Sequence, residues 1–212
     1  MPERTVHRLE AFSDIVIGFC LAQLGLSLVL PKNAADMFSV WESTTFFISA
    51  FILIAVLWWL HHSTFSTFFV LNIPMVVLNF GVLCSLILTL YFLESLAHVA
   101  ALGQDPSRFF TLFVFSFALV YTLLGVMLLV GLLTRRAELP QTEIRWAVNQ
   151  LTSILMAVLF GLIAGTYAAL SPHIEYVAYA TVALSVTVVI MRRIILRRWL
   201  GSLSRPLGPS SS

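Results

Sequence analysis

Charged residues are scarce in this chain: Asp, Glu, Lys and Arg make up 10% of its 212 residues. A soluble domain carries roughly 25%, so a fully solvated surface is excluded. Cysteine is nearly absent. Cys20 and Cys84 both lie inside apolar runs, where a small packing residue is the natural reading and a disulfide framework is not. The chain also lacks the spacings that carry chemistry. It has no His-Glu-x-x-His, no Cys-x-x-Cys, no Gly-x-Ser-x-Gly, no glycine-rich phosphate loop and no fixed-period repeat. Catalysis, a metal centre and a cofactor have no foothold, and none is expected. The first eight residues are too polar, and the run after them too long, for a cleavable signal peptide.

What is present is apolar: 59% of residues, with a mean hydropathy of +0.97. These residues must face lipid. Backbone polar groups at membrane depth have to be satisfied internally, which leaves helices or a closed barrel. The runs are continuous and lack the alternation of barrel strands, so helices are expected. Six runs are visible: Ala11 to Leu30, Val40 to Leu60, Ile73 to Ala97, Phe109 to Leu133, Ile144 to Leu170 and Ile174 to Leu196. Each is about the 20 residues that one crossing needs. Pro31, Pro106, Pro140 and Pro172 fall in the gaps, and Pro74 in a first turn, where proline is tolerated. The fold class is therefore all-α, a polytopic membrane protein with six transmembrane helices in one domain over residues 1–200, followed by a flexible tail over 201–212.

Positive charge sets the orientation. On the N-terminal side lie Arg4, Arg8, Arg135, Arg136, Arg145, Arg192, Arg193, Arg197, Arg198 and Arg205; on the other lie Lys32 and Arg108. Ten against two predicts that both termini are cytoplasmic, as in a bacterial plasma membrane. The cluster from Arg192 to Arg198 reads as a headgroup anchor, not as a nucleic-acid site.

Polar groups at membrane depth are expensive and therefore informative. Ser13 and Asp14 open the first run, with Arg8 one to two turns below. They read either as a helix cap or as part of a buried network. His61 and His62 end the second run beside Trp58 and Trp59, on the same side of the membrane as Asp14. Adjacent histidines point about 100° apart and form no ligand pair. They are either interfacial residues or, one of them, a specific hydrogen-bonding partner. Asn79 enters at a comparable depth, so Arg8, Asp14, one of the histidines and Asn79 could meet in one polar layer joining three helices. Glu94, near the far end of the third run, reads as an interfacial residue or as the wall of an external vestibule.

Those residues carry a resemblance. The Arg-x-x-x-Phe-Ser-Asp pattern of Arg8, Phe12, Ser13 and Asp14 resembles the signature of the transmembrane-protein-175 type potassium channels, the lysosomal channel and its shorter prokaryotic relatives. The segment from Trp59 to Phe65 resembles their second helix, and Leu78-Asn79 the start of their third. The likeness spans three helices closely; the last three agree in number and length. It implies a homotetramer of six-helix chains, a pore lined by the first helix, and potassium as the permeant ion. It also implies a constriction of apolar side chains in place of a carbonyl filter, and the chain accordingly contains no Thr-Val-Gly-Tyr-Gly. An Arg/Ser/Asp network would brace the helix behind that constriction. The pore positions carried over are Phe19, Gln23 and Leu26, on one helical face. Phe19 stands where a smaller aliphatic residue is usual, and Gln23 replaces an apolar one. The small residues Gly18, Ala22 and Gly25 would admit a neighbouring helix. Two other functions stay open: a proton-conducting or proton-regulated channel in which His61, His62 or Asp14 titrates, and a non-conducting scaffold or transporter in which Phe19 and Gln23 merely pack.

Overall fold

The computed structural model describes residues 2–26 and 37–170. They form five helices: α1 (Pro2–Leu26), α2 (Met37–Phe68), α3 (Ile73–Ala101), α4 (Ser107–Arg135) and α5 (Gln141–Leu170). All five are long and apolar enough to cross a membrane. The sixth expected span, Ile174 to Leu196, and the tail lie outside the described residues.

The helices exceed the apolar runs at their ends, and the reason is local. α2 continues two turns past Leu60. Ser63, Thr64, Ser66 and Thr67 dilute its hydropathy there, yet Thr64, Phe65 and Phe68 are 0–1% exposed and hold the helix against its neighbours. α1 begins at Pro2, so Ser13 and Asp14 sit three turns inside it and the helix-cap alternative falls. Short connections are fixed by side chains. The Asn72 carboxamide accepts the Met75 N–H at 2.9 Å and starts α3, with Pro74 in the first turn. α3 ends in a turn where Gly103 takes φ 68°, a conformation that costs a side-chain-bearing residue. Asp105 then accepts the Ser107 N–H at 3.0 Å and the Ser107 hydroxyl at 2.8 Å. Those two bonds hold its carboxyl below the usual aspartate range. The Arg135 guanidinium donates to the Thr67 carbonyl at 2.5 Å and pairs with Glu138 at 3.6 Å, joining the end of α4 to the end of α2.

α4 is the central element, packed on α2, α3 and α5. Its Val120, Leu124 and Leu128 are 0% exposed and meet Ile54 and Leu57 of α2 and Val82, Leu83 and Leu86 of α3 in one core. Glycine permits the closest approaches. A methyl group at Gly131 would collide with the Phe68 carbonyl, one at Gly125 would lie 2.8 Å from Ile154, and one at Gly161 would lie 2.9 Å from Ala118. Gly161 and Gly165 form a small-xxx-small pair on α5 that seats it on α4. α1 packs on α2 and α3 through Ser13, Ile17, Cys20 and Leu24, and among the described residues no helix covers its opposite face.

Candidate functional site

At the N-terminal end of the bundle, α1, α2 and α3 are joined by hydrogen bonds instead of apolar packing alone. Asn79, 0% exposed, is the hub. Its Oδ1 accepts from His61 Nε2 at 2.8 Å, its Nδ2 donates to Ser13 Oγ at 3.1 Å, and Ser13 Oγ donates to the Leu9 carbonyl at 3.0 Å. Read in that order, every donor meets an acceptor across three helices. The carboxamide orientation and the His61 tautomer follow from this order. It leaves His61 Nδ1 as the lone-pair nitrogen, buried and without a partner among the described residues.

A second line of contacts runs beside the first. Trp58 Nε1 donates to Asp14 Oδ1 at 2.9 Å. The Trp58 ring stacks on His62, with centroids 5.6 Å apart and planes inclined by 22°. His62 Nδ1 lies 3.5 Å from Glu10 Oε1, and Glu10 Oε2 lies 3.4 Å from His7 Nδ1. The two histidines thus diverge as adjacent helical positions must. His61 joins the inner chain and His62 the outer one.

The structure brings Ser13, Asp14, His61, His62 and Asn79 into one layer but leaves Arg8 out of it. Arg8 is exposed and has no hydrogen bond or ion pair to any described residue. The reason is angular: Arg8 is six positions from Asp14, which places it on the far side of α1 from α2. The counterpart of Asp14 is the Trp58 indole instead. Glu10 and Trp58 escaped sequence reasoning although their spacings were visible. Glu10 is one turn before Asp14 and Trp58 one turn before His62, so each shares a face with a residue already singled out.

The carried-over pore positions lie on the open face of α1. Phe19 is 73% and Leu26 80% exposed, Gln23 is exposed beside them, and Phe12 and Ile15 continue the stripe. No described residue would touch a methyl group added at Gly18 or Gly25. Among the described residues the close approaches are those at the glycines of α4 and α5. Glu94 of α3 is partly buried, and its Oε1 has no partner among the described residues. No group of three His, Cys, Asp or Glu among the described residues could hold a metal ion.

No curated protein sequence matches the chain. Residues 8–89 match the family model described as endosomal/lysosomal potassium channel TMEM175, a channel family and not an enzyme family. The fold as a whole resembles a crystal structure of a point variant of the potassium channel MtTMEM175 bound to a nanobody fusion. The TM-score is 0.67 at 20% identity, over 92% of this chain and 93% of that one. The stretch matched by that family model lies in α1, α2 and α3 and contains Ser13, Asp14, His61, His62 and Asn79 of the polar layer.

Proposed function

We propose that the chain is one subunit of a potassium-permeable cation channel. Four copies surround an axis lined by the open face of α1, and Phe19 forms an apolar side-chain gate. The observation that carries this proposal is the division of α1. Ser13, Ile17, Cys20 and Leu24 seal one side against α2 and α3, while Ile15, Phe19, Gln23 and Leu26 stay exposed among the described residues. The match of residues 8–89 to a potassium-channel family model supports potassium as the ion. Four phenyl rings narrow and dewet the path, and Gln23 one turn on offers carbonyl oxygens to a partly dehydrated cation. The polar layer braces α1 from behind. With the positive charges on their side, both termini face the cytoplasm of a bacterial cell.

Proteoliposomes loaded with potassium test this directly. A flux that needs no ionophore is expected, and none at any pH would end the channel assignment. A second function, proton conduction or proton regulation, is favoured by one specific contact: Glu10 between His7 and His62 at the base of the same helix. A pH-sensitive dye in the same vesicles separates the two. Collapse of a proton gradient with no counter-ion supplied marks a proton path; its survival beside potassium flux marks a potassium pore.

A further inference from the structure

Glu94 stands at the other end of the α1–α3 contact from the polar layer. Asn79, Leu83, Leu86 and Leu90 are buried along one stripe of α3, and Glu94 is the next position on it. The stretch from Asn79 to Glu94 runs about 22 Å along the helix, most of the depth of a bilayer core. The Glu94 carboxylate acts through space on the Cys20 thiol, which sets it against the helix that carries Phe19 and Gln23. Its Oε1 is buried and has no hydrogen-bond partner among the described residues, a costly state for an acid at membrane depth. Nor is a strong base at hand. α2 and α3 contain no Lys or Arg, and His98, one turn beyond Glu94, is exposed. Among the described residues Arg108 is the only Lys or Arg at this end, and Asp105 stands beside it. In sequence the same side holds Asp36, Glu42, Glu94, Asp105 and Glu175 against Lys32 and Arg108. We infer that Glu94 sets the conductance from that side: four copies of its carboxylate concentrate monovalent cations before they meet Gln23 and Phe19. The inference rests on the pore assignment above.

Electrostatics gives the size of the effect and its signature. Screening extends about 30 Å at 0.01 M salt but only about 3 Å at 1 M. Four carboxylates about 10 Å from the axis would raise the local concentration of a monovalent cation about 7-fold at the lower salt, and hardly at all at the higher. Phe19 and Gln23 carry no charge and cannot produce that dependence themselves.

Single-channel recording in planar bilayers, at about 0.01 M and about 1 M potassium chloride, tests this. Glu94→Gln should lower the conductance about 5-fold or more at low salt and leave it near wild type at high salt. Glu94→Asp keeps the charge and should keep the low-salt conductance. Asp105→Asn removes an exposed acid from the turn between α3 and α4 and should lower it far less. An unchanged conductance in Glu94→Gln overturns the inference and leaves the pore standing. So does an equal loss at both salt concentrations, which marks a structural role, or a matching loss in Asp105→Asn, which marks diffuse surface charge. If the wild-type protein itself carries no current, the pore assignment falls instead. Should Glu94→Gln fail to assemble, Glu94→Ala, which removes the charge without burying a carboxamide, decides alone.

Discussion

Asn79 shows what a single buried amide can decide. It spends its oxygen on α2 and its nitrogen on α1 from a position in α3, so its loss leaves His61 Nε2 without an acceptor and Ser13 without its amide donor. Asn79→Leu keeps most of the volume but strands those groups, at a cost of about 1–3 kcal/mol for an unpaired buried polar group. A lower unfolding temperature in detergent is therefore expected. Trp58→Phe differs in kind, because it unpairs the Asp14 carboxylate but leaves the hub intact. Thermal unfolding of both variants checks this: an Asn79→Leu protein as stable as wild type would show that the chain of bonds does not hold the helices. At this scale the sequence was half legible. Residue types costly at membrane depth marked Ser13, Asp14, His61, His62 and Asn79, since few roles repay such a cost. Their pairing was not legible, because it depends on which faces three helices turn toward one another. Hence the contacts of Trp58 and Glu10 went unread, and Arg8, expected to meet the layer, has no partner in it among the described residues.

Helix packing follows small residues, but not all of them. Gly131 sits where the Phe68 backbone presses on α4, so Gly131→Ala must push α2 and α4 apart; overpacking of this kind costs about 1–3 kcal/mol. Gly18 has open space on its side of α1, and Gly18→Ala should gain up to about 1 kcal/mol of helix propensity within the chain. Melting curves of the two variants are thus expected to shift in opposite directions. A destabilised Gly18→Ala would mean that another surface, such as a neighbouring subunit, lies against α1 there. Hydropathy located all five described helices, because lipid imposes length and apolarity on any span. It could not place their ends. Around Thr64 and Phe68 tertiary packing prolongs a helix that composition alone would stop, and at Pro2 α1 starts well before its apolar stretch. Nor could it rank the glycines, since whether Gly18 or Gly161 meets a neighbour depends on a partner that periodicity does not name.

For the whole molecule the decisive feature is the face of α1 that the described residues leave uncovered. Among the described residues α1 carries Gln23 on the same exposed side as Phe19 and Leu26. A carboxamide there would be costly against hydrocarbon. Around the proposed water-filled axis it would have a place beside the Phe19 ring. That axis can be tested without measuring any current. In a background with Cys20 and Cys84 replaced by serine, Phe19→Cys would bring four thiols together at the constriction. Mild oxidation in membranes should then link subunits in pairs, giving a dimer band on a denaturing gel. Ile17→Cys, whose parent side chain is 2% exposed within its own chain, should give none. Thiols further than about 7 Å apart between Cα atoms cannot join without moving the backbone, so the pattern reads distance directly. A dimer band from both positions would indicate random collision, and from neither would place α1 against lipid. A band from Phe19→Cys alone requires that the first helices of separate copies face one another, as a shared pore demands.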